Sequence, residues 1–120
     1  MGLEREWMRG AGALAVLTLL DRREMYGYEI VTALDAESQG LLEMGQSTVY
    51  PLLYSLERRG FVDTTSRVAS SGRRRKYYRL TEAGQARLEK QRTQWATLVE
   101  ALSRLGLGPG KQVAVEVPAR

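Results

Sequence analysis

Three stretches with helical apolar spacing, then a β-branched and arginine-rich stretch broken by turn residues, then one long last helix predict a mainly α chain with a small β-hairpin. The predicted order is α-α-α-β-β followed by a long C-terminal helix. The 120 residues are enough for one domain and too few for two comfortable cores.

The first helix is expected from about Glu4 to Asp21, where Trp7, Met8, Ala11, Leu14, Ala15, Leu17 and Leu20 recur mostly at spacings of three and four. Val16 and Leu19 make its second half apolar nearly all round, which points to burial on several sides and to a partner chain. Gly10 and Gly12 form helix poorly and are expected to admit a neighbouring helix. DRREMYG reads as a polar turn. A second helix is expected from near Tyr26 to about Ser38, with Tyr28, Ile30, Val31 and Leu34 inward and Gly40 as its stop.

Residues 46 to 60, QSTVYPLLYSLERRG, form the third helix. On a wheel of 100° per residue, Val49, Leu52, Leu53 and Leu56 make one apolar stripe. Ser47, Tyr50, Pro51, Tyr54, Ser55 and Arg58 collect on the opposite side. Proline lacks a backbone N–H and clashes with the preceding turn, so it is tolerated near a helix start. Ser47 as N-cap would put Pro51 at the end of the first turn.

Phe61 to Val68 and Arg74 to Leu80 have strand character, and ASSG between them supplies a turn, so the two read as a hairpin. Its tip and return strand carry Arg73, Arg74, Arg75, Lys76 and Arg79. Thr81 caps a last helix that runs to about Leu105, roughly 36 Å at 1.5 Å per residue. Leu88, Trp95 and Leu102 recur every seven residues, interleaved with Gln91, Leu98 and Leu105, as in a seam between chains. GLGPG then reads as a linker. Val113, Val115 and Val117 alternate like a short strand in a tail of open role.

Composition excludes more than it selects. With no cysteine and no histidine, the chain has no thiolate nucleophile, no Ser-His triad and no usual transition-metal set, and no paired carboxylates stand where catalysis needs them. An enzyme is not expected, nor a metal or cofactor. The apolar run from Ala11 to Leu20 is about half the ~20 residues needed to span a bilayer, and no cleavage site of small residues follows it. A cytoplasmic protein is expected, with no membrane partner. The formal charge of +4 suits a polyanion without requiring one.

Three helices and a basic hairpin are the order of a winged helix-turn-helix, whose third helix enters a DNA major groove about 12 Å wide. The hydroxyls of Ser47, Thr48 and Tyr50 suit phosphate oxygens, Gln46 suits an adenine edge, and arginine grips phosphate bidentately. Tyr54 and Arg58 share that face. Residues 1–80 would form the DNA-binding domain, 81–105 the dimerisation helix, and 106–120 the tail.

YGYEI (26–30), STVYPLLYSLERRGFV (47–62) and RRKYYRLTEAG (74–84), in this order, resemble the PadR family of transcriptional regulators, in its short branch with a single C-terminal helix. The resemblance covers residues 8 to 105. It implies a homodimeric cytoplasmic bacterial repressor that binds double-stranded DNA at a palindromic operator and is released by small effectors, aromatic ones among them. By motif, Gln46, Ser47, Thr48, Tyr50 and Pro51 begin the recognition helix. Arg73, Arg74, Arg75, Lys76 and Tyr77 belong to the wing, and Tyr28 opens the second helix. Leu14, Leu88, Trp95, Leu98, Val99, Leu102 and Leu105 are assigned to dimerisation. Trp95 with Gln91 is a candidate effector site, since paired indoles across a two-fold axis make a flat slot. Simple packing of Trp95 in the seam is the rival account. Two other functions stay open: a protein-interaction module for an acidic partner, and a drug-sequestering protein without an operator.

Overall fold

The computed structural model describes residues 3–108. The expected tail strand around Val113, Val115 and Val117 lies outside them. Four helices and three short strands follow in the order α1 (Arg5–Arg22), β1 (Met25–Tyr26), α2 (Gly27–Glu37), α3 (Gln46–Arg58), β2 (Val62–Val68), β3 (Arg74–Leu80) and α4 (Glu82–Arg104). This is the winged helix-turn-helix with a long final helix. No helix among the described residues is long and apolar enough to cross a membrane.

The core is built where the apolar stripes meet. Val16, Leu17, Leu19 and Leu20 of α1 bury against Ile30 and Leu34 of α2 and Val49, Leu53 and Leu56 of α3, with Met25, Val62, Tyr78 and Leu88 closing the cluster. A fully buried leucine or valine contributes about 1.5–3 kcal/mol. The all-round apolar second half of α1 is covered from within the chain, because α2, α3, β3 and α4 all pack on it. A partner is not needed for that half. The two α1 glycines differ in use. A Cβ on Gly12 would touch Leu52 at 3.4 Å and Met44 at 3.5 Å, whereas Gly10 has no neighbour within 4 Å.

DRREMYG is not a simple turn. Met25 and Tyr26 form a two-residue strand on β3, pairing with Tyr78 and Tyr77. So short a strand has too few residues to show a period of two, and only its partner defines it. The sheet order β1-β3-β2 makes β3 central. The hairpin register runs from Val62 opposite Leu80 to Val68 opposite Arg74. Its loop closes with the Ala69 N–H donating to the Arg73 carbonyl at 2.7 Å, while Gly72 adopts φ +88°, where a side chain would be strained.

The start of α3 differs from expectation. Its N-cap is Gly45, and no side chain caps it; the Thr48 and Val49 N–H groups both donate to the Gly45 carbonyl. Ser47 is thus inside the helix and Pro51 is its sixth residue. The Ser47 carbonyl has no N–H to accept from at position 51. Both residues lie on the exposed side, where solvent reaches. Tyr28, expected inward on α2, is instead exposed.

At the other end, the Thr81 hydroxyl accepts from the Gly84 N–H at 3.0 Å and donates to the Gly60 carbonyl at 2.6 Å. The Thr81 N–H donates to the Phe61 carbonyl at 3.1 Å. These bonds clamp the first turn of α4 onto the chain between α3 and β2. A Cβ at Gly84 would stand 1.9 Å from the Phe61 carbonyl oxygen, and that atom is backbone. Gly84→Ala is therefore expected to lower unfolding free energy by about 2 kcal/mol or more through overpacking. Urea denaturation checks this; an unchanged midpoint would contradict the close approach.

Candidate nucleic-acid interface

The candidate surface starts from the amphipathicity of α3. Burying Val49, Leu53 and Leu56 turns Gln46, Ser47, Thr48, Tyr50, Pro51, Tyr54 and Arg58 outward, and all seven are exposed. At 13 residues, α3 is about 20 Å long. Arg58 lies 5.7 Å from the Tyr54 ring centroid, so these two share one patch.

Beside it lies a groove of about 390 Å³ lined by Tyr26, Gly27, Tyr28, Tyr50, Arg73, Arg74, Arg75, Lys76 and Tyr78. It separates the start of α2 and the Tyr50 side of α3 from β3. Tyr50 and Tyr28 are exposed, while Tyr78 is buried, with 5% of its surface accessible. Burial pushes the Tyr78 hydroxyl above its ordinary 10.0, and the nearby Lys76 ammonium opposes that shift.

Strand alternation divides the basic run. Lys76 reaches Glu57 of α3 at 3.5 Å, and Arg74 donates to the Ser66 hydroxyl at 3.3 Å across the hairpin. Arg75 and Tyr77 point to the other face. Arg75 lies 4.2 Å from the centroid of Tyr26, and Arg67 lies 3.9 Å from that of Tyr77. Tyr26 and Tyr77 meet edge-on at 5.5 Å. Arg67 is also paired with Glu24 at 2.5 Å, and Arg79 with Asp63 at 2.6 Å. Tyr77 is therefore a ring stacked within the sheet's back face, and Arg75 is half-buried over Tyr26 while still edging the groove. Among the described residues, Arg73, Arg74 and Arg75 form no ion pair with a carboxylate. The wing tip thus keeps uncompensated positive charge.

The α4 residues also divide. Leu88 is fully buried in the chain's own core, one turn past the clamp, and so stands apart from the outer seam. Beyond it, Trp95, Leu98, Val99 and Leu105 are exposed, and Leu102 is half-buried. Trp95 is 57% exposed, a large apolar area to leave in water. Leu14 is half-buried against the core. The Gln91 side-chain oxygen is buried without a hydrogen-bond partner. Trp7, on α1, is exposed as well. Sequence reasoning missed Tyr26 and Gly27 as parts of the groove. The YGYEI motif contains both, but only the fold brings them against β3 and Tyr50.

Helix-turn-helix, basic hairpin and trailing helix define a winged-helix regulator class. The chain belongs to the transcriptional regulator PadR-like family, whose model matches residues 16–90. It is 27% identical to a PadR-like transcriptional regulator from Bacillus cereus, at a TM-score of 0.77 over 86% of this chain and 98% of that one. It is 32% identical to a PadR family regulator from Eggerthella lenta, at a TM-score of 0.72 over 83% and 85% of the two chains. It is also similar to Bacillus subtilis PadR in complex with operator DNA, 28% identical at a TM-score of 0.63. That match covers 70% of this chain and 47% of that one.

The buried Tyr78 hydroxyl has a consequence for pH. A folded-state value raised above the unfolded one contributes stability that is complete below pH 10 and is lost as pH climbs through the folded value. Absorbance titration at 295 nm is expected to show a late-ionising tyrosine that disappears in Tyr78→Phe. An unchanged titration curve in that variant would contradict the assignment.

Proposed function

We propose that this chain is a homodimeric repressor that binds a palindromic operator in double-stranded DNA, with residues 1–80 as the reading domain and 81–105 as the dimerisation helix. One observation carries the reading. Tyr50, from the polar face of α3, lines a single groove together with Arg73, Arg74 and Arg75, which form no ion pair among the described residues. The chemistry suits a duplex. Gln46, Ser47, Thr48, Tyr50 and Tyr54 meet base edges and sugar-phosphate oxygens in the major groove, Arg58 and Tyr28 flank them, and the wing arginines meet phosphates. The operator-bound Bacillus subtilis relative supports the same partner. Pro51 keeps its place because its helix bond is lost on the side facing solvent or DNA.

Dimerisation supplies the two-fold symmetry that a palindrome requires. The exposed Trp95, Leu98, Val99 and Leu105 of α4, with Leu102 and Leu14, form the apolar surface for it. The same surface suits a small aromatic effector. Two Trp95 indoles facing across the axis would frame a flat slot, with the unpartnered Gln91 oxygen as an acceptor at its edge. A protein that acts on chromosomal operators works in the cytoplasm.

Footprinting on the DNA upstream of the protein's own gene, with and without aromatic compounds, tests the whole reading. Arg74→Ala is expected to weaken binding to all duplexes alike and to reduce the slope of log K against log salt by about 1, as for one lost phosphate contact. Fluorescence anisotropy at several salt concentrations measures it, and an unaltered slope would remove Arg74 from the interface. For the dimer, Trp95→Lys is expected to give monomers in light scattering. A dimeric variant whose tryptophan emission still responds to aromatic ligands as wild type does would exclude both roles for Trp95.

A further inference from the structure

We propose that Gly27 is a positioning residue for DNA binding, providing the seat that holds the Tyr50 ring in the groove between α2 and β3. The proposal rests on the operator-binding reading above and identifies what orients one of its contact residues.

The geometry is specific. A Cβ built on Gly27 would stand 2.4 Å from Tyr50 Cε1, 2.5 Å from its Oη and 2.6 Å from its Cζ. All three atoms belong to the hydroxyl-bearing end of one ring. That end therefore lies directly on the Gly27 backbone, closer than any side chain there would permit. Gly27 is buried, and Tyr50 is still 39% exposed. The ring is thus held on one side and open on the other.

Backbone conformation does not account for the glycine. The described glycines with positive φ are Gly40, Gly60, Gly72 and Gly106, and Gly27 is not among them. It is the first residue of α2, where the helix geometry admits any L-residue. What alanine cannot do is leave room for the ring. The glycine is needed for space, and the three atoms nearest to that space all belong to Tyr50.

The position matters because of what surrounds it. Tyr28, Tyr78 and the residues from Arg73 to Lys76 line the same groove. A hydroxyl fixed at the start of α2 stands across from the wing arginines, where a phosphate oxygen can accept from several donors at once. A ring free to rotate about its Cα–Cβ bond would have to be ordered on binding, at an entropic cost. The seat removes much of that cost beforehand.

The test combines a double-mutant cycle with a measurement on the free protein. Wild type, Gly27→Ala, Tyr50→Ala and the double variant are titrated by anisotropy against a labelled mixed-sequence duplex at low salt. Gly27→Ala is expected to weaken binding roughly 3- to 10-fold, the size of one displaced hydrogen-bonding group, with the thermal midpoint retained and the salt slope unchanged. In the Tyr50→Ala background it is expected to change affinity less than about twofold, because the seat then holds nothing. An equal loss in both backgrounds, or no loss in either, overturns the proposal. Independently of DNA, the Gly27 Hα resonances of the free protein are expected to show a ring-current shift that Tyr50→Ala abolishes. Ordinary shifts in wild type would mean there is no seat. A normal ring-current signature without salt-sensitive DNA binding by wild type would instead overturn the operator reading, and the positioning role with it.

Discussion

Pairing of β3 on both of its edges is the interaction on which the rest of the surface depends. It bonds to β2 along seven residue pairs and to β1 along two. Because successive strand residues face opposite ways, that double pairing dictates the direction of every cation in the run. Tyr78 enters the core, Lys76 turns toward Glu57, and Arg75 and Tyr77 turn to the back, where they stack with Tyr26 and Arg67. A one-residue slip would turn Arg75, Tyr77 and Arg79 toward the core in place of Lys76, Tyr78 and Leu80. The buried Tyr78 is thus both the anchor of the wing and the floor of the groove.

The second half of the surface depends on α3, and the two are coupled through the core. Val49, Leu53 and Leu56 fasten α3 to the same cluster that holds Tyr78, so the exposed polar face of α3 and the wing are referenced to one core. The Thr81 clamp and the close approach at Gly84 tie α4 to that core at its first turn, and Leu88 extends the tie by one more. The ion pairs nearby are exposed and contribute little by themselves, at most about 1 kcal/mol each.

Much of the architecture was legible in the residues because each period belongs to one element. The α3 stripe, the hairpin, the Thr81 cap and the length of α4 all follow local rules, and the structure agrees with them. Ser47 has the chemistry of an N-cap, but the helix begins one residue before it, at Gln46, with Gly45 as the cap. Tyr28 lies near the α2 apolar stripe, yet α2 turns it outward. Leu88 fits the heptad of a seam, but its distance from the clamp places it against α1 instead.

The sequence by itself determined the order of the four helices and the hairpin, the amphipathic third helix, the charge of the wing and the family, because these depend on neighbours in the chain. Only the tertiary structure decided which cations remain free and which are stacked or paired. It also decided that Tyr26 is a strand residue, and that Gly27 lies beneath Tyr50. Those facts depend on residues twenty to fifty positions apart coming within a few ångströms of each other. No local spacing encodes them, since a contact across the sheet or between helices exists only once the core has set their distance.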